Sequence, residues 1–464
     1  MGVIAGLLLA YLLPAAAGWV ILGWLARGRN IFSGGTRLVL GLLLGISFQS
    51  LQAFWLGLLG IGYSLAALSA APALIAAAGA ISRLTSRRAR IPRAGGFSRL
   101  NRWEKVILPL LGVLIALRLA LSVYNVVVSP TYFDDSVSIW NFKAQVFYHQ
   151  RGLVLDREHP DFFGGNTPKY PNGIPLFKAW LAFAAGGWRE SVVNSLNPVF
   201  YLAGGALLYL FLGRIAGRLV AAVSAYLMMS LPLISFHSAF AYSDLALGVY
   251  FMAATACFYR WLADGERPLL VVAALLYAGG AWIKDEGLYL LLGGVIPLML
   301  LIAFVNRTRQ SWAGIGWFLL AAAAFLAPWM ICKSVYRFPA AVVGQEYFRL
   351  EFHPRAFAEF VHFYFRTGNY NIFWSVYLVM LAAGLVGWRR RPPATRRLLA
   401  MNLLTLGVVL GPFVFTPLYK WLAPGATINR AMLTVIPMWV LTCGVLWGEW
   451  SAPPRLEPKA GGKR

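Results

Sequence analysis

The sequence predicts an all-α integral membrane protein with about thirteen transmembrane helices, and three observations lead there. Mean hydropathy is +0.65 and only 12% of the residues are charged, which excludes an ordinary soluble domain. Apolar runs such as 3–24, 38–59 and 107–128 recur to the C-terminal part of the chain. Each is about 20 residues long, enough to cross roughly 30 Å of hydrocarbon. Finally, Lys and Arg are unevenly shared between the connections, as the positive-inside rule requires of a polytopic chain.

The runs place spans near 3–25, 37–58, 61–82, 106–128, 191–212, 218–236, 244–262, 268–283, 287–305, 312–332, 371–388, 398–416 and 431–450. Pro232, Pro297, Pro328 and Pro437 are expected to kink theirs. The first run lacks a basic start and is followed by another span, so it reads as a retained helix rather than a cleaved signal.

The strongest basic clusters are "SRLTSRRARIPRAGGFSRLNRW" at 82–103 and "RRRPPATRR" at 389–397. Placing both inside puts the N-terminus out and the C-terminus in, with 26 Lys and Arg inside, 14 outside and Arg118 mid-span. Of the acids, 12 fall outside and 5 inside. Two large outer segments result, 129–190 and 333–370, neither able to build a sizeable core of its own, so a lid over the bundle is expected. Within the first, "GIPLFKAWLAFAAGG" (173–187) is too short to span and is expected to lie along the interface or dip into it. The chain divides into 1–105 (three spans and a basic cytoplasmic loop), a module at 106–450, and a basic tail at 451–464. No inverted internal repeat is evident.

Cys257, Cys332 and Cys443 all fall within or at the end of apolar spans, which argues against disulfides and cysteine-rich metal sites. The net charge of +24 is what cytoplasmic loops of a membrane protein accumulate, so nucleic acid is not implied. No phosphate-binding G-x-x-x-x-G-K-[ST], no H-E-x-x-H and no G-x-S-x-G occurs, which leaves ATP-driven transport, zinc proteolysis and serine hydrolysis without support.

The outer side is where chemistry-bearing residues gather. His149, His159, His237, His353 and His362 all fall there, with Asp134, Asp135, Asp244, Lys284, Asp285, Glu286 and Arg430. "SPTYFDDSVSIWNFKAQVF" (129–147) opens the first outer segment with two adjacent carboxylates. Asp134 and Asp135 read either as a solvated loop start or helix N-cap, or as a general base or metal ligand. Lys143 follows at helical spacing and is expected on the side of the acids. Asp244, in "AYSDLALG", is either an N-cap or a paired functional acid. The "KDE" at 284–286 is either a polar hairpin turn or a phosphate-binding element through Lys284. Arg118, mid-span in "LIALRLAL", needs a buried partner or an anionic headgroup above it. Arg430, in "TINRAMLTVIP", either anchors the last span by snorkelling or clamps a phosphate.

In this order, the residues resemble the GT-C superfamily of polytopic, lipid-sugar-dependent glycosyltransferases, a group that includes protein mannosyltransferases and aminoarabinose transferases. The likeness rests on an arginine inside a span, an outer loop opening with an acid pair, and the following "W..KA". "KYPNGIPLFKAW" (169–180) is similar to a Tyr-Pro segment later in that loop, through Lys169 and Tyr170. "YSDLAL", with Tyr242 and Asp244, and "WIKDEGL", with Lys284 and Glu286, resemble further outer-face sites. "INRAMLTVIPMW" resembles the Arg-containing start of a late helix. The likeness spans about residues 106–440, and the pair here is Asp-Asp where Asp-Glu is common.

The resemblance implies a sugar donor on polyprenyl phosphate and a glycan, lipid or protein acceptor, with transfer on the non-cytoplasmic face and inversion at the anomeric carbon. Asp134, or else Asp135, would be the base. Lys284 and Arg430, with Arg118 or Lys143, would neutralise the departing phosphate. Some relatives use a divalent cation, and Asp134, Asp135 and Asp244 would hold Mg or Mn here. The Arg- and Ala-rich composition fits a bacterial inner membrane, with the active site facing the periplasm or exterior. A polytopic transporter or flippase is the competing class, for which titratable groups near mid-membrane and on both faces are expected.

Overall fold

The computed structural model describes residues 2–85, 100–338 and 349–451. The basic stretch 86–99, residues 339–348 of the second outer segment, and the tail 452–464 lie outside the described residues. Within them the chain is helical throughout, without a strand.

The α-helices, in order, are α1 (Val3–Leu25), α2 (Gly34–Leu58), α3 (Leu65–Thr85), α4 (Glu104–Val128), α5 (Phe142–His149), α6 (Gly173–Ala185), α7 (Glu190–Asn194), α8 (Leu196–Ile215), α9 (Arg218–Ser230) and α10 (Pro232–His237). They continue with α11 (Asp244–Asp264), α12 (Arg267–Ile283), α13 (Asp285–Leu290), α14 (Ile296–Asn306), α15 (Arg309–Val335), α16 (Ala356–Phe365), α17 (Phe373–Val386), α18 (Pro393–Phe415), α19 (Ala426–Leu433) and α20 (Ile436–Ser451).

Nine of these stretches are long and apolar enough to cross a membrane, ten when the bent pair α19 and α20 counts as one span. The other three expected spans form shorter helices: α9 and α17, of 13 and 14 residues, and α12, of 17. At 1.5 Å per residue, the first two reach only about 20 Å.

Prolines account for two of the breaks. Leu231 turns extended before Pro232, so the expected span 218–236 becomes α9 followed by α10. Pro437 lies in the first turn of α20, after a 49° bend from α19. Pro297 sits at the start of α14, just after a π-helical turn (Leu291–Val295). Pro328 lies inside an uninterrupted α15.

The bundle is built around α11, in which every residue from Asp244 to Phe258 is buried. At the periphery, α4 buries only Leu111, Ser122 and Val126, and leaves a face of Val, Leu and Tyr for lipid. Where α1 crosses α2, Gly18 meets Gly41 and Gly45 backbone to backbone, the close approach that small residues permit between membrane helices.

We call the end at which α11 begins the upper end. Loops there are stitched by Thr131 N to Glu190 Oε2 (2.9 Å), Leu233 N to Asn369 O (3.2 Å) and His353 N to Val414 O (2.8 Å). The lower end is stitched by Arg29 to Glu266 (3.0 Å), Arg391 to Glu449 (3.0 Å) and Arg397 to Asn306 (3.3 Å).

The segment expected to lie along the interface or dip into it forms α6, which is packed among the other helices. Twelve of the thirteen residues of α6 are buried, Trp180 Nε1 donates to the Ala10 carbonyl at 3.0 Å, and Ala184 abuts Gly6. A short helix buried on all sides matches an apolar composition as well as an interfacial one does.

Candidate functional site

Asp134 and Asp135 start a helix that runs through a π-helical turn (Ser136–Asn141) into α5. Such turns widen the backbone locally and recur at functional sites. The Asp135 side chain makes no capping hydrogen bond; it pairs with Arg430 instead, Oδ2 to Nη2 at 2.7 Å. From α19, the same guanidinium reaches Asp244 with Nε at 3.3 Å.

Asp244 follows the N-cap residue Ser243, so it is not the cap either. Its side chain is fully buried, and its second oxygen accepts from Lys284 Nζ at 2.8 Å. Lys284 is the extended residue between α12 and α13, and it also binds Glu286 at 2.8 Å. A five-residue chain of alternating charge results: Glu286, Lys284, Asp244, Arg430, Asp135. A buried carboxylate without partners would be strongly destabilising, and this one has a cation on each oxygen.

Two close backbone approaches put these groups within reach. A Cβ on Gly248 would sit 2.4 Å from the Leu433 carbonyl oxygen, so glycine allows α11 to meet the α19–α20 break. A Cβ on Gly287 would lie 2.6 Å from the Gly280 backbone, so glycine also allows the tight fold-back at Lys284.

The chain of charges is sealed at Asp244 and opens outward. Side-chain exposure rises from 0% at Asp244 to 25% at Asp135 and Arg430 and 41% at Glu286. Asp134 is exposed, and no ion pair engages its carboxylate among the described residues. Arg430 uses Nε and Nη2, so N–H groups on Nη1 remain, and Lys284 has a third N–H to give. The partly exposed Arg430 is therefore the cation of this chain nearest to solvent, and it pairs with the residue that follows Asp134.

Tyrosines frame it. Arg430 lies over the Tyr242 ring at 4.9 Å, a cation–π contact. Tyr170 feels Lys284, Glu286, Asp135 and Arg430, and burial pushes its phenol up to about 12, so it stays a neutral donor. His237, 5.1 Å from the Tyr242 ring, is buried, and burial pulls it down to about 4, so it is neutral at pH 7.

Lys143 and Arg118 make no ion pair with the chain of charges among the described residues. Lys143 is fully buried, donates to the carbonyls of Thr167 (3.1 Å) and Tyr170 (2.9 Å), and is pulled down to about 7 by burial. This makes it a strut between α5 and the loop that carries Tyr170. Lys169 is half-buried in that loop. Arg118 lies ten residues before the end of α4, which is about 15 Å along the helix, near Tyr201 and far from the charge chain.

Sequence reasoning passed over two buried lysines. Lys333, in the last turn of α15, pairs with Asp285 at 2.8 Å. Lys178 donates to Asn141 Oδ1 at 2.6 Å and Asn194 Oδ1 at 3.1 Å, and both amides donate to the Thr131 hydroxyl. That knot ties the π-helical turn to α6 and α7. The signal for Lys178 was visible as a lone cation inside "GIPLFKAWLAF".

Of the expected cation ligands, Asp134 alone is without an ion pair among the described residues. Both Asp244 oxygens are held by cationic side chains, and Asp135 is held by one of them. Among the described residues no three His, Cys, Asp or Glu side chains are grouped as a metal site. No known family model, curated protein or solved structure matches the chain.

Proposed function

We propose that this chain is an integral membrane glycosyltransferase of the GT-C type. It transfers a sugar from a polyprenyl-phosphate carrier to an acceptor hydroxyl on the non-cytoplasmic side of a bacterial inner membrane. In this reading all thirteen helical passes cross the bilayer, with the N-terminus outside and the C-terminus inside.

The observation that supports the reading is that Asp134, exposed and without an ion-pair partner among the described residues, adjoins Asp135, whose carboxylate pairs with Arg430 at 2.7 Å in the chain of charges that runs on to Lys284. The prenyl tail lies in lipid beside the bundle, and its phosphate sits at the upper rim. The acceptor oxygen attacks the anomeric carbon and gives its proton to Asp134. A new C–O bond forms as the bond from that carbon to the phosphate oxygen breaks, with inversion. The electron pair leaves on the phosphate, and Arg430 and Lys284 stabilise the added charge. Asp135 and Asp244 aim the guanidinium.

The test is consumption of polyprenyl-phosphate sugars by purified protein in lipid nanodiscs. Asp134→Asn is expected to lower turnover about 10²–10⁴-fold with insertion and melting unchanged. Because Asp244 and Asp135 are engaged by Lys284 and Arg430, activity is expected to survive EDTA. Full activity of Asp134→Asn removes this residue as the base. If no candidate donor is consumed while lipid or glycan is translocated, the transporter reading takes its place.

A further inference from the structure

At the lower end, away from the charge chain, a cleft of about 1060 Å³ opens between the end of α1, the α11–α12 connection and the first half of α15. Its volume is at the top of the range for small-molecule sites, about 300–1,000 Å³. Three exposed arginines line its mouth: Arg27, Arg267 and Arg309. None of them has a carboxylate partner among the described residues, because the local acids are taken. Glu266 binds Arg29 at 3.0 Å, and Asp264 binds Arg260 at 2.5 Å. The mouth therefore carries uncompensated positive charge.

Behind the mouth the lining turns apolar. Trp317 sits under the Arg267 guanidinium at 5.5 Å. Along α15 the lining continues through Leu320 to Ala324. From Arg309 to Ala324 is fifteen residues, a run of about 22 Å, longer than the roughly 15 Å half-thickness of a hydrocarbon core. A basic mouth on a groove of acyl-chain length, open between helices, is complementary to one kind of molecule.

From this shape and charge, we infer that the cleft binds one anionic glycerophospholipid, its phosphate among Arg27, Arg267 and Arg309 and an acyl chain against α15. Basic pockets between membrane helices select anionic headgroups by charge, and the groove supplies the tail contact that a free phosphate lacks. The site is independent of any sugar transfer at the upper end.

Native mass spectrometry of protein taken from nanodiscs holding equal phosphatidylglycerol and phosphatidylcholine tests this. The unaltered protein is expected to retain one phosphatidylglycerol. The triple variant Arg27→Gln, Arg267→Gln, Arg309→Gln is expected to reduce that retention at least about tenfold. Removing three exposed arginines outside the cleft, Arg214→Gln, Arg389→Gln and Arg390→Gln, is expected to leave it intact. Ala324→Trp, which fills the groove but keeps every charge, is expected to expel the lipid. Equal retention of the two lipids overturns the inference. So does equal loss in the control triple, unchanged retention in Ala324→Trp, or displacement by inorganic phosphate alone.

Discussion

The charges at the upper end do not contribute alike, because burial differs along the chain that links them. Asp244 is fully buried between Lys284 and Arg430, whereas Glu286 is 41% exposed and its one ion pair among the described residues is with Lys284. Removing the charge of a buried partner leaves the opposing cations uncompensated in an apolar setting, a loss of about 3–5 kcal/mol. An exposed pair contributes no more than about 1 kcal/mol. Asp244→Asn is therefore expected to lower the melting temperature in detergent by several degrees, and Glu286→Gln to leave it nearly unchanged. Similar melting of both variants would show that Asp244 is solvated in the native state, against the geometry. The residue types of this site were legible one by one, since a carboxylate at the end of an apolar run needs either a partner or a task. The partnership was not legible: Arg430 and Asp244 are 186 positions apart, and no local spacing rule reaches that far. Lys143 illustrates the opposite failure. Helical spacing aligned it with the acids, but its ammonium turns inward to two carbonyls.

At the scale of elements, breaks in helices place the chemistry. Lys284 sits where α12 ends and α13 begins, and Arg430 lies on α19 just before the 49° bend into α20. Pro232 and Pro437 announced their breaks, because proline removes a donor and restricts the residue before it. The break at Lys284 was announced only by its charges, and what tightens it is glycine: Gly287 against the backbone of Gly280. Since the neighbouring atoms are backbone, they cannot swing aside. Gly287→Ala is expected to destabilise the protein by about 1–3 kcal/mol through overpacking. It should also pull Lys284 off Asp244, so sugar turnover should fall together with melting temperature. Stability lost with turnover kept would uncouple the fold-back from the site. The protein surroundings of α6 were beyond sequence reading for a different reason. Hydropathy sees the apolar length of a segment but not whether lipid or protein surrounds it, and α6, with Trp180 bonded to α1, is surrounded by protein.

Across the whole molecule, charge is polarised. The acidic groups that build the ion chain sit at the upper end, and the basic cleft sits at the lower end. A chain that alternates between the two ends must orient all its connections together, so a single assignment determines every loop. Under the positive-inside rule, the excess of Lys and Arg that the sequence assigns to one side would direct the lower end to the cytoplasm in the proposed reading. The upper end would then face outward, as a transferase using a lipid-linked donor on that side requires. Single introduced cysteines read the orientation directly, because the native thiols Cys257 and Cys332 are buried and Cys443 is half-buried. Asn166→Cys lies exposed in the upper loops, and Arg390→Cys lies exposed in the lower ones. In intact cells, a membrane-impermeant maleimide is expected to label Asn166→Cys at once and Arg390→Cys only after the membrane is opened. The reverse pattern would turn the ion chain toward the cytoplasm, where a polyprenyl-linked sugar delivered to the outer leaflet cannot reach Asp134, and the proposed reaction would fall with it.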